Sequence, residues 1–276
     1  MGEVKKYLQE AIFAAEQGVL PMRIAEGTNE IYVLYNIDYE PVGVFKLVSQ
    51  QSTLLEKISY EMDHQSFAGV PETIEAVFPC PIFGDKRKGV FQCYVKGGLT
   101  LALFPRADDL KIAADQVRKI AILDIRLLNR DRHHSNLIYT DDKLIPIDHG
   151  DILSESCTTN FGWQTWPQVF SPFSEFEKSY IRSLNPLNDY SRLLEYFNFS
   201  KKRASLLYLS TLFLKSGMEC GLTAGEIGGL MEVRCYPWLL APTNLFKVLW
   251  DELQNIPMHL WDARVQEIME QLYTCI

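Results

Sequence analysis

Asp124-Ile125-Arg126-Leu127-Leu128-Asn129-Arg130-Asp131-Arg132-His133-His134-Ser135-Asn136 runs directly into Leu137-Ile138-Tyr139. A polar turn, Thr140-Asp141-Asp142-Lys143, then leads to Leu144-Ile145-Pro146-Ile147-Asp148-His149-Gly150. Two short apolar runs about a polar turn read as a β-hairpin. Chains entering and leaving a hairpin lie side by side, so Asn136 and Asp148 are expected near each other at its open end. An amide oxygen and a carboxylate there, with Asp131 on the preceding loop, form an oxygen-rich set of the kind hard cations such as Mg²⁺ prefer. Upstream, Val117, Ile120, Ala121, Asp124, Ile125 and Leu128 recur at helical spacing and predict one buried helix face.

The chain around this stretch has 276 residues, 47% of them hydrophobic and 22% charged, which excludes a disordered or fibrous protein. Lys and Arg number 27 against 35 Asp and Glu, a formal charge of -8. That balance argues against nucleic acid as a partner and against electrostatic docking on anionic membranes, leaving at most peripheral membrane contact. It leaves room for an anionic small ligand held by a few local cations. The opening Met1-Gly2-Glu3-Val4-Lys5-Lys6 leads into an amphipathic stretch, so no secretory signal is expected. Leu206 to Leu214 is apolar but too short to span a bilayer, and Lys201-Lys202-Arg203 and Lys215 flank it. Six scattered cysteines (Cys80, Cys93, Cys157, Cys220, Cys235, Cys275) form no CxxC pair, so a cytoplasmic location without disulfides or zinc is expected.

Texture changes near Gly97-Gly98. Before it, Ile31-Tyr32-Val33-Leu34-Tyr35 and Val42-Gly43-Val44-Phe45-Lys46-Leu47-Val48 flank Asn36-Ile37-Asp38-Tyr39-Glu40-Pro41 and read as an antiparallel hairpin. After it the periodicity is mainly helical, with a capping box at Thr223-Ala224-Gly225-Glu226 and a terminal helix from Trp261 to Leu272. The expected fold class is α+β and bilobal: a small strand-rich N-lobe over residues 1–95 and a larger helical C-lobe over 96–276.

An Asp, four intervening residues, an Asn, and an Asp beyond a hairpin is also the spacing of a kinase catalytic loop. Asp131 fits the group that orients an attacking hydroxyl and takes its proton. Asn136 and Asp148 fit metal ligands, with ATP as the phosphoryl donor and Mg²⁺ or Mn²⁺ as the cofactor. Asp131-Arg132-His133-x-x-Asn136 with Ile147-Asp148-His149-Gly150 resembles the phosphoinositide 3/4-kinase superfamily, in particular the plant-type gamma subgroup of type II phosphatidylinositol 4-kinases. Lys119 to Arg126, Phe67-Ala68-Gly69-Val70-Pro71-x-Thr73, Trp166-Pro167-Gln168 and Gly221 to Gly228 are similar to further segments of that subgroup. The resemblance spans about Glu26 to Met231 and implies a protein-kinase-like fold.

It also implies the remaining site residues. Lys46 is the Lys inside the first hairpin and takes the place of the ATP-binding lysine. The resemblance, through the following His64 to Pro71, puts Glu56 rather than Glu61 in the place of its acidic partner, and five residues of helix cannot bring both squarely to one side. Gly27, Thr28 and Asn29 lie in the segment that would cover the phosphates through backbone N–H groups. Tyr94, Val95 and Lys96 occupy the segment whose backbone would meet adenine. His133 is a candidate for orienting or deprotonating the acceptor, and His149 stands where protein kinases carry the aromatic of D-F-G.

From Leu144 to Glu177 there is no Lys or Arg, while Asp151, Glu155, Glu175 and Glu177 are acidic. That composition argues against phosphorylated inositol lipids as acceptors. It leaves plain phosphatidylinositol or a protein hydroxyl. The subgroup's association with protein phosphorylation, and the lack of the clustered cysteines that anchor animal type II enzymes, tilt the expectation slightly toward protein Ser/Thr. The alternatives are a phosphatidylinositol 4-kinase and, from another class, a nucleotide-binding pseudokinase acting as an interaction module. The aromatic run Phe161-Gly162-Trp163-Gln164-Thr165-Trp166-Pro167 suits either a docking surface or a packed loop.

Overall fold

The computed structural model describes residues 2–24, 30–47, 50–79, 86–104, 111–233 and 244–273. The fold is α+β and divides into two compact units, Met1–Leu103 with Leu137–Gly150, and Phe104–Asn136 with Asp151–Ile276. The expected division after residue 95 thus falls after Leu103, and the hairpin that follows Asn136 clusters with the first unit. Pairing explains the shift. The strand Leu99–Thr100 hydrogen-bonds to Leu137–Thr140, which tethers the hairpin and Asp148 beyond it to the strand-rich unit.

In the first unit, helix α1 (Glu3–Glu16) precedes strands β1 (Met22–Ile24), β2 (Glu30–Tyr35) and β3 (Pro41–Leu47). Helix α2 (Gln50–Met62), β4 (Thr73–Phe78) and β5 (Arg87–Cys93) complete an antiparallel sheet of order β1-β2-β3-β5-β4. The β2–β3 hairpin predicted from alternation is present. Its turn closes when the Asn36 side-chain oxygen accepts hydrogen bonds from the Asp38 and Glu40 N–H groups at 3.0 and 2.9 Å. A bulge between Leu34 and Tyr35 takes up the extra residue. Phe45, Phe78 and Phe91 form the centre of the core, and Val4, Ala11 and Ala15 of α1 pack onto it. Gly43 leaves space for the Phe91 ring, which would stand 2.1 Å from a Cβ built at that position.

Strands β6 (Leu99–Thr100), β7 (Leu137–Thr140) and β8 (Lys143–Pro146) make a second, three-stranded sheet. Asp141 and Asp142 both take positive φ, 46° and 58°, as a two-residue hairpin turn of the right twist requires.

The second unit is helical: α3 (Ala114–Leu127), α4 (Glu175–Ser183), α5 (Pro186–Phe197), α6 (Lys201–Glu219), α7 (Ala224–Met231), α8 (Leu245–Leu253) and α9 (Trp261–Tyr273). Helix α6 carries the Leu206–Leu214 run and is its buried centre, packing against α3, α5, α8 and α9. The capping box at Thr223 and Glu226 opens α7 as predicted, and α9 begins at Trp261. Helix α3 buries three charged residues, each with a partner. Arg126 meets Asp189 of α5 at 2.8 Å, Arg118 meets Glu177 of α4 at 2.9 Å, and Asp124 meets Arg132 at 2.9 Å. Arg126 and Asp189 are so deeply buried that each needs the other's charge.

Phe45→Ala removes a fully buried ring from the first unit's core and is expected to cost about 3–5 kcal/mol. Urea unfolding followed by tryptophan-independent circular dichroism measures it, with the exposed Tyr39→Ala as the near-neutral reference.

Candidate active site

Lys46 lies on β3 between Ile31 of β2 and Val90 of β5. Both Lys46 and Glu56 of α2 are buried, and their side chains form an ion pair. Asp148 Oδ1 lies 3.5 Å from the same Lys46 Nζ. Glu61, the other helix carboxylate, is only half-buried, whereas Leu55, Ile58 and Met62 turn Glu56's flank of α2 inward. The three residues belong to one compact unit, so their convergence follows from β3, α2 and the β7–β8 hairpin alone.

Burial acts against the Lys46 charge, yet Glu56 and Asp148 outweigh it and hold the ammonium above its ordinary range. Burial pushes the Glu56 carboxyl up against the pull of Lys46. At Asp148 burial would raise the carboxyl, but Lys46 wins and holds it below the usual aspartate range. Asp148 adopts a left-handed backbone, φ 55°, which a non-glycine residue takes only where its surroundings enforce it. Of the predicted adenine segment, Tyr94 N–H donates to Val42 O at 3.2 Å and Lys96 O accepts from the Thr140 hydroxyl at 3.2 Å. Gly27, Thr28 and Asn29 lie outside the described residues.

Within the second unit, Asp131, His133 and Asn136 form a cluster. Asn136 Nδ2 donates to the Asp131 carbonyl at 2.7 Å and lies 3.3 Å from Asp131 Oδ2, which leaves the amide oxygen as its acceptor face. His133 Nδ1 accepts from Ser135 N–H at 3.2 Å, and its Nε2 lies 3.4 Å from Asp131 Oδ1 and 3.3 Å from Asn136 Nδ2. Asp131 and His133 are about half exposed, as groups meeting a substrate must be.

Below them lies a network the sequence reading did not assign. Asp124 accepts from Arg132 Nε at 2.9 Å, Trp163 Nε1 at 2.9 Å and Asn129 Nδ2 at 2.9 Å. Arg132 in turn donates to the Asn136 carbonyl at 2.6 Å, and Asn129 Oδ1 accepts from Asp131 N–H at 2.9 Å. One buried carboxylate therefore holds both ends of the Asp131–Asn136 loop. The available signal was Asp124 itself, a charge in the middle of an apolar helix stripe. The loop is also stitched to Asn160 and Gly162 through Arg132 N–H and C=O. A Cβ at Gly162 would stand 2.3 Å from the Arg132 carbonyl, so that contact needs glycine.

Residues 111–226 match the family model for phosphatidylinositol 3- and 4-kinase. The chain is 33% identical over 287 residues to phosphatidylinositol 4-kinase gamma 4 of Arabidopsis thaliana, covering 83% of this chain and 49% of that protein. It is 33% identical to phosphatidylinositol 4-kinase gamma 4 of Oryza sativa subsp. japonica, covering 83% of this chain and 48% of that protein. Phosphatidylinositol 4-kinase gamma 5 of Arabidopsis thaliana is 34% identical, over 92% of this chain and 48% of that protein. The chain belongs to the phosphatidylinositol 3- and 4-kinase family. It spans about half the length of these curated relatives.

Of the two settings open to the aromatic run, the structure shows the packed loop: Phe161 and Trp163 are buried and stack at 4.6 Å, and Trp166 meets the His134 ring at 5.6 Å. The segment after Gly150, free of Lys and Arg in sequence, receives cations from elsewhere. Arg130 donates to Ser154 Oγ at 2.8 Å and lies 3.7 Å from Asp151, Lys202 meets Glu155 at 2.8 Å, and Arg203 donates to the Ile152 and Leu153 carbonyls at 2.8 and 2.9 Å. Each of these cations is spent on the segment's own carboxylates, a serine hydroxyl or backbone carbonyls. The preference for a protein acceptor finds no support in the relatives, whose names specify phosphatidylinositol.

Of the described cysteines, Cys157 is buried and Cys93 and Cys220 are half-buried, all three as free thiols. The Cys93 and Cys157 thiols are pushed up to about 12, chiefly by burial, and so are poor nucleophiles. Among the described residues no group of three or more His, Cys, Asp or Glu gathers to hold a metal. Hard-oxygen groups of the kind Mg²⁺ takes are present in each unit, the Asp148 carboxylate in the first and the Asn136 amide oxygen in the second.

Asp124→Ala strands a buried Arg132 charge and two donors, and is expected to destabilise the second unit by about 3–5 kcal/mol in urea unfolding. A separate titration tests the Lys46 contact. Because folding lowers the Asp148 carboxyl, its stabilisation is complete above the unfolded aspartate value and is lost as pH falls through the folded one. Lys46→Met leaves burial unopposed, so carbon-detected NMR should show Asp148 titrating at higher pH than in the wild type.

Proposed function

We propose that this chain is an ATP-dependent phosphotransferase that acts on an inositol-ring hydroxyl of phosphatidylinositol. The observation that carries the reading is the buried Lys46–Glu56 pair with Asp148 3.5 Å from the same ammonium. A lysine held charged in the dry interior, one side neutralised by a helix carboxylate, is placed to meet phosphate oxygens. The gamma relatives' names, which specify phosphatidylinositol, favour the lipid over a protein hydroxyl. Plain phosphatidylinositol, whose headgroup carries only a phosphodiester, is the lipid that the cation-poor composition from Leu144 to Glu177 leaves open.

Each residue then has a role. Lys46 binds and orients the ATP phosphates, and Glu56 keeps Lys46 extended toward them. The Val95 and Lys96 backbone, beyond the Tyr94 N–H already spent on Val42, takes adenine. Asp131 accepts the hydrogen bond of the acceptor hydroxyl and draws its proton as the oxygen attacks the γ-phosphorus. His133, beside Asp131, is assigned to orient or deprotonate the acceptor hydroxyl. Asp148 and the Asn136 amide oxygen hold Mg²⁺, which supplies charge neutralisation of the transferring phosphoryl group when bound. Gly27, Thr28 and Asn29 are assigned backbone contacts to the phosphates. Contact with a membrane-borne acceptor is assigned as peripheral; among the described residues no helix is long and apolar enough to cross a bilayer.

The pseudokinase reading is weaker because Lys46, Asp131, Asn136 and Asp148 are all in place. The test supplies radiolabelled ATP, Mg²⁺ and either phosphatidylinositol micelles or generic protein substrates. Label in the lipid is expected, and Asp131→Asn should cut it by roughly a hundred- to ten-thousand-fold without unfolding the chain. Incorporation into protein alone, or equal lipid labelling by wild type and Asp148→Ala, sinks the proposal.

A further inference from the structure

Between the aromatic run and α4 lies Ser171-Pro172-Phe173-Ser174, a segment that the phosphoryl-transfer reading does not use. Ser171 is only half-buried, between the exposed Phe170 and Pro172, and its backbone is extended at φ -83°, ψ 146°. That is the conformation a following proline imposes. It is also the shape in which a protein kinase takes a peptide through its active site.

The two hydroxyls of this segment sit in opposite electrostatic settings. Ser174 caps α4, accepting from Glu177 N–H at 3.3 Å, and its hydroxyl is 2.7 Å from the Glu177 carboxylate. A phosphate added there would press against a fully buried anion. Ser171 Oγ instead lies 2.7 Å from Arg118 Nη1, while its proton goes to the Gln168 carbonyl at 2.8 Å. Arg118 is buried and anchored through Nε to both Glu177 oxygens, at 2.9 and 3.1 Å. Its guanidinium is a rigid fork, so Nη1 faces Ser171 while Nε stays with Glu177.

We infer that Ser171 is a phosphorylation site for a proline-directed protein kinase, and that Arg118 is the built-in receptor for the phosphate. In the modifying step the Ser171 Oγ–P bond forms as the γ-phosphorus–oxygen bond of ATP breaks. ADP leaves with the electron pair, and the hydroxyl proton passes to the modifying kinase's own base. The dianion gains a charge-assisted hydrogen bond from Arg118 in place of the Gln168 contact. The consequence is a clamp that ties the segment before α4 to α3, the helix that carries Asp124 into the Asp131 loop.

The experiment incubates the intact chain with ATP and a purified proline-directed kinase, locates phosphate by peptide mass spectrometry, and titrates the product by phosphorus NMR. Modification of Ser171 in the folded chain is expected, and Ser171→Ala should abolish it. The second pKa of the phosphate, about 6 for an unpaired phosphoserine, should fall by about 1 pH unit relative to a phosphopeptide of residues 166–176. Three outcomes overturn the proposal: a peptide that is modified while the folded chain is not, modification at Ser174 instead, or a phosphate that titrates as it does in the peptide. A parallel sample without the added kinase reads the chain's own transfer activity, so failure of the function proposed above is seen separately.

Discussion

Asp124 meets Arg132 where neither side chain touches water, and the geometry of the second unit's functional loop descends from that pair. A lone carboxylate at that depth would protonate or unfold the helix that carries it, and a lone guanidinium would be worse. Together they are tolerable only with their remaining hydrogen-bonding capacity filled. Trp163 and Asn129 fill it on one side and the Asn136 carbonyl on the other. Satisfying one buried charge therefore fixes the start of the Asp131–Asn136 loop, its end, and the strand-like segment through Asn160 and Gly162 beside it.

The same constraint recurs in the first unit with a different outcome. Lys46 is desolvated by β2, β3 and β5, and Glu56 answers its charge from α2. Two carboxylates for one ammonium leave a surplus acid. Electrostatics divides the burden unequally: the deeply buried Glu56 is pushed toward its neutral form, while the more open Asp148 is held ionised. That inequality suits the roles proposed for Asp148 and Lys46.

Charge also decides what the segment after Gly150 can do. Its own residues are acidic or neutral, yet Arg130, Lys202 and Arg203 reach it from the catalytic loop and from α6. Further along, Arg118 reaches Ser171 from α3. A segment poor in cations is thus surrounded by them, and its two serines near α4 become chemically distinct although they are three residues apart.

The local patterns were readable from the chain alone. Alternation at Ile31–Tyr35 and Val42–Val48, the helical stripe from Val117, the capping box at Thr223 and the order Asp131, Asn136, Asp148 are all short-range signals, carried by period, turn chemistry and spacing. The choice of Glu56 over Glu61 came instead from the family resemblance, because helix spacing says only that the two cannot share one face. What the tertiary structure alone decided involves contacts between residues far apart in sequence. Asp148 joined the unit of Lys46 because β6 pairs with β7, and the acceptor-facing segment gained cations that its own composition lacks. Asp124 became the anchor of the loop only when folding placed Trp163, thirty-nine residues away, within hydrogen-bond distance. Burial and charge pairing are properties of a packed interior, so even Asp124 and Arg132, which share one stretch of sequence, become a buried pair only when the helix and loop around them pack.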